Sequence, residues 1–429
     1  MCESRRRVFL AGIGMGTEIG ITVQVRELIL TCDCLIGAGR MLECARGVLA
    51  AEGQEEPETP MLEEYRPDQI ACYIMEHPEY TRVAVLLSGD PGFYSGARKL
   101  AERLERIPGL CGTEIVPGIS SVVCLAARLG ISWEDAKFVS LHGRQEDFIQ
   151  TVNRNRKTFL LLGTKDAGEK LLGRLKEYGM EDVIIHAAAR LSYPDERILS
   201  GTPEEICLDD LSGLTTVMIE NPHPDKRACP HVRDEEFIRG KVPMTKEEVR
   251  AVSMARLGLT RESVLYDVGA GTGSVSVEGA LSGEGIRVYA VEKKEEAAAL
   301  IEKNRRKFRA DGIRIVRGSA PEALKDLEAP THVFIGGSSG NLKEIIRTVQ
   351  EKNPCVKIVI NAISLETVRE VMEAVEEGLL VHPDITQINV ARSRELGDYH
   401  MMTGQNPVYI ISAGGDREKC DRADGGENR

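Results

Sequence analysis

The most constraining feature of this sequence is a glycine-rich loop between an apolar segment and a helix-like one. Residues 266–278 read YDVGAGTGSVSVE. We predict a strand over Ser263–Asp267, a loop containing Gly269, Gly271 and Gly273, and a helix that begins at the end of the loop. Glycines let the backbone approach a ligand closely, and a helix N-terminus offers free N–H groups. The pattern predicts a ligand site at the carboxyl end of a strand.

An acidic residue follows this loop at a distance that indicates ribose recognition. A second strand is predicted over Arg287–Val291, and it ends in Glu292. An acid about 20 residues beyond the loop can accept hydrogen bonds from ribose hydroxyls. NAD and S-adenosylmethionine (SAM) both use such a site, but the dinucleotide fingerprint has a third glycine where this chain has Ser274. The spacing favours a SAM site over an NAD site and over an ordinary βα turn without a ligand. Ala270 and Thr272 are the remaining residues of the loop.

Composition limits the classes of protein to which the chain can belong. A length of 429 residues predicts two or three domains. The formal net charge of −12 argues against a broad nucleic-acid-binding surface. The eleven cysteines are scattered without a C-x-x-C pair, so we expect reduced thiols, a cytoplasmic location and no metal site. No apolar run approaches the length of a membrane span.

Strand-like and helix-like segments alternate along the chain, which indicates an α/β protein. The pattern stops over residues 221–241, where proline and charge are frequent. We therefore predict a first domain over 1–222 (subdomains about 1–112 and 113–222), a linker over 223–241, a second domain over 242–413 and a disordered tail over 414–429. Thr245 and Glu248 form a capping-box pattern at the start of the second domain.

The first half has glycine-rich loops of its own. AGIGMG places Gly12, Gly14 and Gly16 after the first strand, and SGDPGFY, VPGISS and LHGR each follow a later apolar strand. Such loops would meet at the carboxyl edge of a sheet, where α/β proteins bind ligands. Turn chemistry alone can explain any one of them, but four together favour a binding site.

These segments also carry a family resemblance. AGIGMG, SGDPGFYS and VPGISSVVCLAARLGISWEDAKFVSLHGR resemble the tetrapyrrole methylases of the precorrin carbon-5 branch (CbiE). RDEEFIRGKVPMTKEEVRAVSMARLGL, DVGAGTGSVSVEGAL, GSAPEAL and FIGGSSGNL resemble the decarboxylating carbon-15 methyltransferases (CbiT). In this order the chain resembles the fused precorrin-6Y methyltransferase family of the CobL type.

The resemblance implies a fold and an activity. The fold is a two-subdomain tetrapyrrole methylase followed by a class I (Rossmann-like) SAM-dependent methyltransferase. The activity is methylation of precorrin-6B, with or without cobalt, at carbons 5 and 15, with decarboxylation of the ring C acetate in cobalamin biosynthesis. Two SAM sites are implied, one per half, and relatives of both halves form homo-oligomers.

The resemblance also implies which residues bind the cofactor. In the first half they are Gly12, Gly14, Met15, Ser88, Gly89, Asp90, Ser120, Ser121 and Leu162. In the second half they are Thr245, Gly269, Ala270, Gly271, Thr272, Gly273, Glu292 and Ala320.

Candidates for catalysis and substrate binding follow from their context. His142, His332 and Asn361 are the candidate catalytic residues, although a histidine in such a place more often serves only as a hydrogen-bonding group. A tetrapyrrole carries many carboxylates, which guanidinium groups bind bidentately. The candidate substrate-binding residues are Arg144, Arg239, Lys241, Arg392 and Arg394, each of which could equally be a solvated surface charge.

Two other functions fit parts of the pattern. An RNA methyltransferase would share both folds, but the net charge of −12 without a basic tract argues against RNA. A non-enzymatic SAM-sensing module would need degenerate loops, whereas these loops are intact. We therefore expect a tetrapyrrole as the partner, with neither nucleic acid nor membrane.

Overall fold

The computed structural model describes residues 6–54, 58–110, 112–141, 147–163, 166–211, 213 and 215–415. The chain divides into two compact units. The first comprises the described parts of residues 1–146, 155–173 and 181–222. The second comprises those of 147–154, 174–180 and 223–429, so the division is not a single cut at residue 222.

A five-stranded parallel sheet with the order β3-β2-β4-β1-β5 begins the first unit. Its strands are β1 (Arg7–Gly12), β2 (Cys34–Gly37), β3 (Met61–Glu63), β4 (Arg82–Leu87) and β5 (Gly112–Val116), and its helices are α1 (Val23–Thr31), α2 (Gly39–Ala51), α3 (Pro67–Glu76) and α4 (Ala97–Leu104). Along β1, Val8 and Leu10 join one buried cluster, while Phe9 and Ala11 join the other. Helices cover both faces, as a parallel sheet requires.

A second five-stranded sheet completes the first unit, with the order β6-β7-β10-β8-β9. Its strands are β6 (Lys137–Ser140), β7 (Lys157–Leu161), β8 (Ile184–Ala189), β9 (Arg197–Gly201) and β10 (Thr215–Glu220). Only the β6–β7 pair among them is parallel. Helix α5 (Ser121–Leu129) leads into this sheet. It is capped by the Ser120 hydroxyl and ends at Gly130, which has φ of 67°.

The second unit is built on a seven-stranded sheet with the order β13-β12-β11-β14-β15-β19-β16. Its strands are β11 (Val264–Val268), β12 (Arg287–Glu292), β13 (Ile313–Arg317), β14 (His332–Ile335), β15 (Lys357–Ala362), β16 (Asp384–Ile388) and β19 (Val408–Ala413). Its helices are α8 (Glu247–Leu257), α9 (Ser274–Leu281), α10 (Glu295–Lys307), α11 (Leu342–Lys352) and α12 (Leu365–Glu376). Strand β19 is antiparallel to β15 and β16, and the other pairs are parallel. The expected Rossmann-like fold class is confirmed.

Two further segments belong to the second unit. They are α6 (Ile149–Arg154) and the end of α7 (Ala167–Glu177). The backbone N–H groups of Ile149 and Gln150 donate to the buried carboxylate of Asp311, at 2.8 and 3.1 Å. The N–H groups in the first turn of a helix have no acceptor within the helix, and the Asp311 carboxylate supplies one for these two.

Several expectations from the sequence are corrected here. Residues 221–241 read as a linker, but Val232 and Phe237 are buried in the core of the second unit. The helix after Thr245 has Lys246 as its N-cap, and it has no side-chain cap because lysine has no acceptor atom. The Glu248 carboxylate accepts from Arg392. Strand β5 pairs with β1, so the first sheet extends past the expected subdomain boundary near residue 112.

A second group of elements has no counterpart in the sequence analysis. It comprises α2, β3, α3 and the hairpin of β17 (Ala391–Leu396) and β18 (Tyr399–Gly404). Seven described cysteines are free, whereas Cys355 is disulfide-bonded, so the expectation of reduced thiols throughout is wrong at that residue. Within the described ranges no helix has the length and apolarity needed to cross a membrane. Most of the expected tail, residues 416–429, lies outside the described residues.

Two candidate SAM sites and the family of the chain

Three backbone loops converge at the carboxyl edge of the first sheet. Gly14 and Gly89 exchange two backbone hydrogen bonds, at 3.2 and 2.7 Å. A Cβ atom on Gly12 would lie 2.6 Å from the Gly89 carbonyl oxygen, and one on Gly118 would lie 2.3 Å from the same atom. No side chain fits at either position, because real Cβ contacts are never this short. Glycine is therefore a packing requirement at these two positions.

The Asp90 carboxylate links two of these loops. One oxygen accepts from the Gly92 N–H at 2.8 Å, and the other accepts from the Gly118 N–H at 3.1 Å. Backbone donors of this kind fix a carboxylate without a cation. Asp90 therefore holds the SGDPGFY loop against the VPGISS loop.

A cavity of about 400 Å³ opens beside these loops in the first unit. This volume lies in the range of small-molecule sites. Seven of the residues expected to bind the cofactor line it: Met15, Ser88, Gly89, Asp90, Ser120, Ser121 and Leu162. Gly12 and Gly14 do not line it, and they instead allow the loops to approach each other. Arg40, Phe93 and Tyr94 also line it, and the sequence analysis missed all three.

The second unit has a cleft at the carboxyl ends of β11, β12 and β14. The three loop glycines all have positive φ, at 72° for Gly269, 58° for Gly271 and 78° for Gly273. A Cβ atom on Gly269 would lie 2.7 Å from the Gly337 carbonyl oxygen, and one on Gly271 would lie 2.6 Å from that of Pro243. The loop therefore needs glycine for its conformation and for its close backbone contacts.

Glu292 lies at the rim of this cleft and is 8% exposed. Its two carboxylate oxygens accept from the backbone N–H groups of Gly271, at 3.0 Å, and Lys294, at 2.9 Å. Each oxygen has a further lone pair, so the carboxylate can still accept hydrogen bonds from a ribose. A fixed acid beside a glycine loop of this shape fits the nucleoside part of SAM.

The other expected residues of the second half divide into two groups. Gly269, Gly271, Glu292 and Ala320 line the cleft, together with Lys293 and the Gly336–Ser339 loop. Thr245, Ala270, Thr272 and Gly273 are not among the lining residues. The Thr272 hydroxyl is buried and has no partner among the described residues.

Residues 231–245, named here the entry segment, pack beside the glycine loop. Asn304, which is fully buried, accepts from the Ile238 N–H at 2.8 Å and donates to the Thr272 carbonyl at 2.9 Å. Arg250 donates to the Thr245 carbonyl at 2.7 Å and to the Val232 carbonyl. Asn304 and Arg250 thus join the entry segment to the loop and to α8, and the sequence analysis missed both roles.

Comparison with known proteins follows the same division of the chain. Residues 7–207 match the tetrapyrrole (corrin/porphyrin) methylases, and residues 236–413 match the precorrin methyltransferase domain. The precorrin-6Y C(5,15)-methyltransferase [decarboxylating] of a Sinorhizobium species is 28% identical over 94% of both chains. The probable cobalt-precorrin-6B C(15)-methyltransferase (decarboxylating) of Pyrobaculum calidifontis is 48% identical over 43% of this chain and 96% of that protein.

The chain belongs to the fused precorrin methyltransferases. One solved relative is a precorrin-6Y C5,15-methyltransferase from Geobacter metallireducens, which is 38% identical. It covers 43% of this chain and 96% of its own length, with a TM-score of 0.41.

The three catalytic candidates of this fused methyltransferase have different positions. His332 is the first residue of β14, at the edge of the sheet opposite the glycine loop, and its Nδ1 lies 2.8 Å from the Thr331 hydroxyl. His332 is therefore not among the residues that line the glycine-loop cleft. Asn361 lies near the carboxyl end of β15, and its Oδ1 accepts from Ser253 at 3.1 Å. Its Nδ2 is buried and has no partner among the described residues. His142 lies outside the described residues.

The substrate-binding candidates of this fused methyltransferase are not grouped in one place. Arg239 and Lys241 are exposed in the entry segment, and Arg394 is exposed in the β17–β18 hairpin. Arg392 pairs with Glu248 at 2.6 Å and with Glu247 at 3.2 Å, which raises its pKa. Its charge is therefore already neutralised within the protein. Arg144 lies outside the described residues.

Proposed function

We propose that this protein methylates a precorrin at carbons 5 and 15 and decarboxylates the ring C acetate, which loses its carboxyl group as CO₂ and becomes a methyl group, in cobalamin biosynthesis. The observation that carries the proposal is the presence of two separate glycine-loop cavities in one chain of this family. The printed name of the Sinorhizobium relative includes both carbons and the decarboxylation. The carbon-15 step and decarboxylation are assigned to the second unit, because the Pyrobaculum relative corresponds to that part alone.

The proposed chemistry requires mainly that the protein position the cofactor and the substrate. A bridging carbon between reduced pyrroles is electron-rich, so it can attack a methyl sulfonium without a strong base. SAM supplies the methyl group, and the residues hold the reactants in line and exclude water. In the second unit Glu292 and the Gly269–Gly273 loop would hold the cofactor. Asn361 is the proposed polar contact to substrate, because its buried Nδ2 can still donate.

Three properties of the chain stay proposals of the same kind. A homo-oligomer is expected from the resemblance. A cytoplasmic location is supported by the free thiols of seven of the eight described cysteines, with Cys355 the exception. Recognition of a small acidic substrate rather than RNA is supported by the net charge of −12.

The test combines cofactor binding with the mass of the product. Calorimetric titration with S-adenosylhomocysteine (SAH) should give a stoichiometry near two. Metal-free and cobalt-bearing precorrin-6B are then incubated with SAM, and the product should gain two methyl groups and lose CO₂. A stoichiometry of one, or a product without these changes, would contradict the proposal.

Glu292→Ala separates the two halves in this assay. Charge-assisted hydrogen bonds contribute roughly 1.5–3 kcal/mol each, so SAH affinity at one of the two sites should fall at least about tenfold. Carbon-15 methylation and CO₂ release should fall together, while carbon-5 methylation continues. Glu295→Ala is the control, because this nearby carboxylate is 75% exposed in an ion pair with Arg317. If Glu292→Ala leaves carbon 15 unaffected, the second site is misplaced.

A further inference from the structure

Among the described residues that line the cavity of the first unit, Arg40 is the only arginine. It lies in the first turn of α2 and is partly buried. Its Nη1 donates to the Met15 carbonyl at 3.0 Å and to the Tyr193 hydroxyl at 2.9 Å. Its Nη2 donates to the Ser88 hydroxyl at 2.9 Å. Arg40 therefore contacts two of the loops that form the cavity.

The charge of Arg40 is not matched by a carboxylate. All three acceptors are neutral, and no ion pair within 4.0 Å joins Arg40 to an acid of the described residues. Arg250 and Arg392 differ, because each of them pairs with two carboxylates. A cation that lines a cavity and has no carboxylate within 4.0 Å among the described residues is suited to an anionic ligand.

The hydrogen-bonding capacity of the guanidinium is also incompletely used. A guanidinium has five N–H groups, and the three contacts above account for three of them. The Nε–H and one Nη2–H have no acceptor among the described residues. Nε and Nη2 share one edge of the planar group, and such an edge can bind a carboxylate bidentately.

The surroundings of Arg40 hold it in place. Gly16 has φ of 89°, and a Cβ atom there would lie 2.9 Å from the Tyr193 hydroxyl and 3.0 Å from the Arg40 Nη1. A larger residue at position 16 would displace this pair. The third glycine of AGIGMG thus provides room for the arginine, beyond forming a turn.

We propose that Arg40 binds a carboxylate in the cavity of the first unit. The inference rests on the proposed function, which supplies two sources of such a group. One is the amino-acid carboxylate of SAM, and the other is an acetate or propionate side chain of the tetrapyrrole. Arg40 is then a specificity-determining residue for the carbon-5 half of the reaction.

The experiment compares ligands with and without the carboxylate. SAH and 5′-methylthioadenosine, which lacks the amino-acid part, are titrated calorimetrically into the wild-type chain and into Arg40→Gln and Arg40→Lys. The KM for precorrin-6B in carbon-5 methylation is measured on the same proteins. Arg46→Gln is the matched control, because Arg46 is exposed on the same helix. Tyr193→Phe removes one partner of Arg40 and keeps the other two.

Two results would support the proposal and identify the source. If the carboxylate belongs to SAM, Arg40→Gln weakens SAH at one site about tenfold or more and leaves 5′-methylthioadenosine unchanged. If it belongs to the tetrapyrrole, SAH binding is unchanged and the KM rises about tenfold or more. Arg40→Lys should lose less than Arg40→Gln in either case, because it keeps the charge without the bidentate edge.

Other results would overturn it. Equal losses for SAH and 5′-methylthioadenosine, or an effect of Tyr193→Phe as large as that of Arg40→Gln, would mean that Arg40 only holds the loops together. No change in any measurement would overturn it as well. If the wild-type chain transfers no methyl group to precorrin-6B, the proposed function fails. The comparison of SAH with 5′-methylthioadenosine still decides whether Arg40 binds the carboxylate of SAM.

Discussion

Arg250→Met should destabilise the second unit more than any ordinary surface substitution. Arg250 is fully buried on α8 and donates to the carboxylates of Glu278, at 2.7 Å, and Asp234, at 3.1 Å. It also donates to the backbone carbonyls of Thr245 and Val232. Methionine keeps the volume but leaves two carboxylates and two carbonyls without this donor.

The expected magnitude follows from the burial of the partners. Asp234 is 6% exposed and Glu278 is 2% exposed, so water cannot replace the lost donor. Breaking a buried ion pair by removing one partner costs about 3–5 kcal/mol. For a unit of this size, 1 kcal/mol lowers Tm by about 2–4 °C. The midpoint for the second unit should therefore fall by roughly 6–20 °C.

Differential scanning calorimetry of the full chain measures this shift. The two units should melt separately, so the transition of the first unit serves as an internal reference. Arg256→Met is the matched control on the same helix, because its ion pair with Asp384 is about half exposed and should contribute at most about 1 kcal/mol. A shift for Arg250→Met no larger than that of Arg256→Met would refute the reasoning.

Two further predictions concern the glycine loop and the buried acid beneath it. Gly271→Ala should weaken SAH at the second site, because its Cβ atom would lie 2.6 Å from the Pro243 carbonyl oxygen. Gly378→Ala has a similar φ of 75° with no atom within 4 Å, so it should leave calorimetric SAH binding unchanged, and equal effects would contradict the contact argument. Burial raises the pKa of Asp267 from 3.8 to about 6, so its contribution to stability is fully present below pH 4 and is lost as the pH rises through 6. In urea unfolding, the free energy of unfolding of Asp267→Asn should therefore rise relative to that of the wild type by about 3 kcal/mol between pH 4 and pH 7. Parallel pH profiles for the two proteins would contradict this.

The glycine loops could be predicted because their signals are local in sequence. Gly269, Gly271 and Gly273 follow one strand, and Glu292 ends the next strand, so spacing alone brings them together. The α/β alternation was predicted from similarly local patterns. Both candidate sites thus depend on short segments at the ends of parallel strands.

The residues that join these segments could not be predicted, because their partners are distant in the chain. Arg40 contacts Tyr193, and Asn304 contacts Ile238. Nothing in a helix-like segment distinguishes such a side chain from a solvated one. Arg250 is the clearest case. A charged residue in an amphipathic helix is expected to be exposed, whereas Arg250 is completely buried together with its partners Asp234 and Glu278.

The positions of His332 and Asn361 show that the place of a residue along its strand matters as well as its type. Both are polar residues in apolar strands, and both were candidates because of their sequence context. In a parallel sheet the ligand lies at the carboxyl ends of the strands, so a residue that begins a strand is on the wrong side. His332 begins β14, and Asn361 lies one residue before the end of β15. The buried Nδ2 of Asn361, which has no partner in the part of the chain that the structure describes, costs stability in the free protein, and a substrate acceptor would remove this cost.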